Sequence, residues 1–160
     1  MRLNGKTAIV TGGASGFGAG IVRKFVEEGA QVMIADLNLE GAEALAGELG
    51  AAARAQQVDV SSATSVAALA EAALAAFGDL DILVNNAGIT HLPKPMDTVT
   101  EEEFDRVYAV NMKSVYLTAQ ALVPGMKARG RGAILNVAST AGLSPRPRLS
   151  WYNASKGWMI

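Results

Sequence analysis

One feature constrains this chain more than any other: short β-branched or aliphatic runs, each followed by a longer stretch with helical periodicity, strand first. The runs fall at Thr7–Thr11, Gln31–Asp36, Ala53–Val58, Leu80–Asn85 and Ala133–Ser139. Hairpin neighbours need only a short turn, whereas parallel neighbours need a crossover of a dozen or more residues. The alternation therefore predicts βα units feeding a parallel sheet, an α/β fold. In the first helix Ile21, Val22, Phe25 and Val26 form an apolar stripe, with Arg23/Glu27 and Lys24/Glu28 paired on the wet side and Gly29 as the stop. Further helices are expected over Leu39–Leu49, Ala63–Phe77, Glu101–Ala109 and Met112–Ala128, the last with Pro124 and Gly125 near its end. Proline-rich segments at 91–95 and 144–148 read as loops. With no internal repeat and no long linker, residues 1–160 are expected to form one domain.

Composition narrows the function classes. Half of the 160 residues are hydrophobic, enough for a sizeable core. Fourteen Lys and Arg against fifteen Asp and Glu leave a formal charge of -1, which gives no electrostatic footprint for nucleic acid or for an anionic membrane surface. Without cysteine there is no disulfide, thiolate metal site or cysteine nucleophile, and His91 alone builds no metal site. Met1 to Lys6 lead straight into the first strand with no leader pattern, so the expected location is the cytoplasm. No apolar run reaches the ~18 residues of a membrane span; Glu71 breaks the alanine-rich stretch from Val66 to Phe77.

The chemistry-bearing residues cluster where strands end. Thr11-Gly12-Gly13-Ala14-Ser15-Gly16-Phe17-Gly18 joins the first strand to the first helix, a turn in which small residues let backbone approach a ligand and a helix N-terminus receive a pyrophosphate. The spacing is not the common G-x-G-x-x-G, and glycines also serve ligand-free turns. Asp36 closes the second strand 18 residues after Gly18, near the ~20 expected of an acid that accepts from ribose hydroxyls. A strand-end turn aspartate reads the same way, as does Asp59 after the third strand. Asn85-Asn86-Ala87-Gly88 follows the fourth strand, at the carboxyl ends where open α/β sheets bind ligands; alone it is also a good turn. Tyr152 and Lys156 share one face of a helix beginning near Trp151, with the ammonium close to the phenol. A free phenol titrates near ~10, so acid-base work near neutrality requires about 4 kcal/mol of help, which adjacent positive charge supplies. Ser139 stands at the end of the fifth strand, ready to donate to a substrate oxygen.

Taken in order, these residues resemble the short-chain dehydrogenase/reductase family, and the match runs through essentially the whole chain. The glycine-rich turn corresponds to Thr11, Gly12, Gly16 and Gly18, the ribose acid to Asp36, the adenine-side acid to Asp59 and the strand-four motif to Asn85 through Gly88. The catalytic asparagine falls on Asn111, the serine on Ser139 and the Tyr-x-x-x-Lys pair on Tyr152 and Lys156. The resemblance implies a Rossmann-like doubly wound parallel sheet with helices on both faces, and reversible hydride transfer between a nicotinamide and a carbonyl/alcohol pair. Tyr152 would be the general acid/base, Lys156 would lower its pKa and hold the nicotinamide ribose, Ser139 would polarise the substrate oxygen, and Asn111 would position a proton-relaying water. The implied cofactor-binding set is Gly12, Ser15, Gly16, Phe17, Gly18, Asp36, Leu37, Asp59, Val60, Asn85, Ala87 and Gly88, with Tyr152 and Lys156.

Asp36, with no basic residue at Ser15 or Leu37, points to NAD in preference to NADP. The implied partners are a small carbonyl or alcohol substrate, of the 3-oxoacyl-acyl-carrier-protein, sugar or secondary-alcohol kinds, and further copies of the chain in a homo-oligomer. Family members continue past the Tyr-x-x-x-Lys helix with two more strands and a substrate-covering segment. The expectation is therefore a C-terminally incomplete unit with the fifth strand as an exposed edge. The alternative function is a non-catalytic nucleotide-binding or scaffolding fragment. Arg146 and Arg148, just before Tyr152, either meet an anionic substrate at the cleft mouth or lie on a solvated loop held extended by its prolines.

Overall fold

A computed structural model describes residues 1–160. Five parallel strands, β1 (Thr7–Thr11), β2 (Gln31–Asp36), β3 (Ala53–Gln57), β4 (Ile82–Asn85) and β5 (Ala133–Asn136), form one sheet in the order β3-β2-β1-β4-β5. Five of the helices are α1 (Gly16–Glu27), α2 (Leu39–Leu49), α3 (Ala63–Phe77), α4 (Glu101–Tyr108) and α5 (Ser114–Ala128). A sixth, α6, covers Ser150–Trp158.

Strand alternation divides the core in two. Ala8, Val10, Val32, Ile34 and Val84 face one way, against Val22 of α1 and Ala42 and Leu45 of α2. Ile9, Met33 and Leu83 face the other way, against Leu69 and Ala73 of α3 and Leu117, Leu122 and Met126 of α5. Burial on both faces explains why these strands read as continuous apolar runs. In α1 only Val22 of the predicted stripe is fully buried; Ile21, Phe25 and Val26 pack partly against the same layer. Gly29, at φ 91°, ends α1 with its N–H on Val26 O and the Ala30 N–H on Phe25 O, a paired closure available to a residue without Cβ.

Some local expectations are corrected by tertiary neighbours. Lys24 does reach Glu28 at 3.4 Å, but Arg23 leaves Glu27 for Glu48 at 2.6 Å, because α2 lies alongside α1. The strands also stop short of their predicted ends, β3 at Gln57 and β5 at Asn136. Between α4 and α5, residues Ala109–Lys113 form one wide π turn rather than a break. No helix is long and apolar enough to cross a membrane.

The topology also fixes where a ligand fits. From β1 the chain builds outward through β2 and β3, then returns to the other side of β1 through β4 and β5. The crevice at the carboxyl ends of β1 and β4 is the switch point of such a sheet.

Candidate active site and nucleotide cleft

At that switch point the glycine turn and the residues after β4 are built against each other. Asn86 Nδ2 donates to Thr11 O (2.9 Å) and Gly12 O (3.0 Å), while the Asn86 and Ala87 N–H groups both donate to Thr11 Oγ1 at 3.1 Å. A Cβ on Gly18 would stand 1.9 Å from Gly12 O, and one on Gly12 would meet Ala87 Cα at 2.9 Å. Only glycine permits this closeness, and Gly12 and Gly16 also take positive φ, at 62° and 52°. The first turn of α1 contains no acidic residue, and the Ser15 side chain does not cap it. Its amides lack intrahelical acceptors and remain available to an anion.

A cleft of about 370 Å3 opens here, bordered by Gly12, Ser15 and Phe17 on one side and Ala87 and Gly88 on the other. Asp36, Leu37, Asp59 and Val60 line its far end. Asp36 Oδ2 accepts from the Ala14 N–H (2.9 Å) and Oδ1 from the Asn38 N–H (3.0 Å), so the carboxylate is fixed to the turn while keeping lone pairs for a ligand. Asp59 is held by Ser61, whose hydroxyl and N–H both donate to Oδ1, and these bonds lower its pKa below the ordinary aspartate value.

A second cleft, of about 320 Å3, shares Phe17, Asn86, Gly88 and Ile89 with the first and reaches Ser139, Tyr152 and Lys156. Tyr152 and Lys156 lie one turn apart on α6. Lys156 is only 5 % exposed; its Nζ donates to Val137 O at 2.9 Å, and burial pushes its pKa down. A Cβ on Gly88 would come within 3.3 Å of that Nζ, so glycine leaves the ammonium room. Ser139 Oγ accepts from the Ala141 N–H (3.1 Å), which keeps the serine hydroxyl hydrogen for another partner. No protein group hydrogen-bonds the Tyr152 hydroxyl.

Two asparagines occupy places that the sequence reading did not give them. Asn85 does not line either cleft: Thr118 Oγ1 donates to its Oδ1 and its Nδ2 donates to Asn136 Oδ1, which ties β4 to α5 and β5. Its neighbour Asn86, absent from the cofactor set, lines both. Strand parity was the available signal, since Asn85 shares a face with Leu83 and that face meets α5. Asn111, fully buried in the π turn, braces the loop after β4: Oδ1 accepts from the Ile89 N–H and Nδ2 donates to Ile89 O and Ser155 Oγ. Ser155 in turn donates to Tyr152 O, a link from Asn111 to the tyrosine that sequence spacing did not reveal.

A sheet of this order with a glycine-lined cleft at its switch point defines a Rossmann-like nucleotide-binding α/β protein. The family model described as short chain dehydrogenase matches residues 6–160, and the chain belongs to that family. It is 53 % identical to 4-formylbenzenesulfonate dehydrogenase TsaC1/TsaC2 of Comamonas testosteroni, over all of this chain and 65 % of that protein. With sorbitol dehydrogenase of Cereibacter sphaeroides the identity is 42 %, over all of this chain and 62 % of the relative. The chain thus spans somewhat less than two thirds of these relatives. Among solved structures, 3-ketoacyl-(acyl-carrier-protein) reductase from Brucella melitensis complexed with NADH superposes with a TM-score of 0.95 at 51 % identity, covering 98 % of this chain and 66 % of that one.

Proposed function

We propose that the protein of this chain transfers a hydride reversibly between NAD(H) and a carbonyl or secondary alcohol substrate. One observation carries the reading: the two clefts are continuous through Phe17, Asn86, Gly88 and Ile89, so the path from Asp36 ends among Ser139, Tyr152 and Lys156. The residues fit a dinucleotide, because the first turn of α1 offers free amides with no acidic side chain beside them and the cleft wall next to it holds the Asp36 carboxylate. When bound, the nicotinamide supplies or accepts the hydride.

The chain's own residues handle the proton and the geometry. In the reducing direction the Tyr152 phenol donates its proton to the carbonyl oxygen, and in the oxidising direction the phenolate takes the alcohol proton back. The Ser139 hydroxyl donates to the same oxygen and polarises it. Lys156 places its charge one helical turn from the phenol and would hold the ribose of the nicotinamide. Asn111 holds the Ile89 and Ser155 supports in place, and a water held by the turn that carries it would relay protons to Lys156.

Cofactor choice follows from Asp36. The first cleft has two carboxylates, Asp36 and Asp59, and no lysine or arginine along its walls. A ribose diol donates to such a carboxylate, whereas a 2'-phosphate is repelled by it. NAD(H) is therefore expected to bind at least tenfold more tightly than NADP(H), and Asp36→Ala to shrink that ratio; fluorescence titration of both cofactors measures it, and tighter NADPH binding by the unaltered protein would refute it. For the chemistry, the full-length protein should oxidise NADH in the presence of small aldehydes and ketones, followed by nicotinamide absorbance. Tyr152→Phe should abolish turnover with NADH affinity within a fewfold, and substantial residual turnover would remove Tyr152 from the mechanism.

A further inference from the structure

Charge is divided unevenly along this sequence. Asp105 is its last acidic residue, and residues 106–160 carry eight lysines and arginines with no Asp or Glu. Three of those eight, Arg146, Arg148 and Lys156, belong to the segment that also holds Ser139 and Tyr152. Elsewhere in this third of the chain Arg129 and Arg131 find carboxylates, at Asp79 and Asp81, while Arg106, Lys113 and Lys127 do not. Arg146 and Arg148 find none within 4.0 Å, although both are exposed.

The loop bearing them is tightly held. Asn153, next to Tyr152, clamps the Arg146 backbone from both sides: its Oδ1 accepts from the Arg146 N–H (3.1 Å) and its Nδ2 donates to Arg146 O (2.8 Å). The Arg146 guanidinium donates to Oγ1 of Thr140, the residue after Ser139, at 3.3 Å. Arg148 is the one non-glycine residue at positive φ, 62°, and the Lys94 N–H donates to its carbonyl at 3.0 Å, which pins the loop to the segment after β4. Lys94 itself is neutralised by Glu103, so it does not compete for an anion. A guanidinium with five donors thus rests on Thr140, the chain neighbour of Ser139, with one donor engaged and no counter-ion.

We propose that the substrate of the hydride transfer carries an anionic group, a carboxylate or sulfonate away from the reacting carbon, bound by Arg146 with Arg148 adding attraction from the same loop. This rests on the functional reading above. A charge-assisted bond of this kind contributes about 1.5 to 3 kcal/mol, which corresponds to a preference on the order of tenfold to a hundredfold.

The test compares two aldehydes of similar size in the full-length protein with NADH, 4-formylbenzoate and its neutral methyl ester. The anion should show kcat/KM at least tenfold higher, expressed in KM, and the advantage should shrink as sodium chloride is added. Arg146→Gln should reduce the anion-to-ester ratio at least fivefold and Arg146→Lys should restore part of it. NADH affinity should hold within a fewfold in both, which separates a substrate anion from a cofactor phosphate. Equal kcat/KM for the two aldehydes, no salt dependence in the unaltered protein, or a ratio that survives Arg146→Gln would overturn this proposal while leaving hydride transfer intact. Absence of turnover with either aldehyde, and with the corresponding alcohols and NAD+, would overturn the functional reading and this inference with it.

Discussion

Lys156 shows what it costs to hold a charge inside the fold. Its ammonium is almost wholly buried with one carbonyl partner, and burial lowers its pKa. Because the folded pKa lies below the unfolded value, folding is penalised wherever the unfolded chain holds the proton more tightly. Stability therefore rises with pH through the window between the folded value and 10.5. Lys156→Met, which keeps the length and drops the charge, should raise stability near neutrality by about 1 to 2 kcal/mol while abolishing turnover. Urea titrations at several pH values should show this gain narrowing as the pH climbs. A gain that widened with pH would mean that burial does not dominate at Lys156. Residue type and spacing made the Tyr152/Lys156 pair legible in the sequence, but not the partner of its ammonium, since Val137 O is a backbone atom from another strand.

Among the elements, the strands and most helices were readable because each must bury a periodic face. Thr7–Thr11, Gln31–Asp36, Leu39–Leu49 and Ala63–Phe77 fall where their patterns place them. The wide turn from Ala109 to Lys113 was not readable as such: these residues carry ordinary helix formers, and the extra residue in the turn is stabilised by what Asn111 meets across space. Three hydrogen bonds from one buried amide connect that turn to the loop after β4 and to α6. Asn111→Ala would leave the Ile89 N–H and carbonyl without their partner. The expected cost is about 2 to 4 kcal/mol in denaturant unfolding, together with a loss of turnover larger than the loss of NADH affinity. An unfolding midpoint unchanged from the unaltered protein would show that water replaces the amide at no cost and that the turn stands without it. The α6 helix, nine residues long, is likewise held from outside. Trp151 packs edge-on against Phe104 of α4, with ring centroids 5.3 Å apart, and the Gly142 turn sits so close that a Cβ there would meet Gly157 N at 2.7 Å.

Across the whole molecule the sheet is unequal at its two margins. On β3 the outer position falls to a polar strand, with Arg54, Gln56 and Gln57, a composition that discourages further pairing. On β5 it falls to Ala133-Ile134-Leu135-Asn136, whose only hydrogen-bonded neighbour is β4. Ile134 and Leu135 point to opposite faces and are 43 % and 50 % exposed, and Leu143 and Trp158 add exposed apolar surface. An apolar edge with free N–H and C=O groups is a template for another strand. A polypeptide of residues 1–160 by itself is therefore expected to self-associate at micromolar concentration and to unfold at low denaturant. Sedimentation velocity across a concentration series measures the first and urea unfolding the second. Ile134→Lys places a charge on that edge without touching either cleft and should shift the population toward monomer, with NADH binding retained. A 160-residue chain that sediments as a monomer at all concentrations and unfolds cooperatively at high urea would show that β5 protects itself, and the two half-exposed side chains would then need a different explanation from strand pairing.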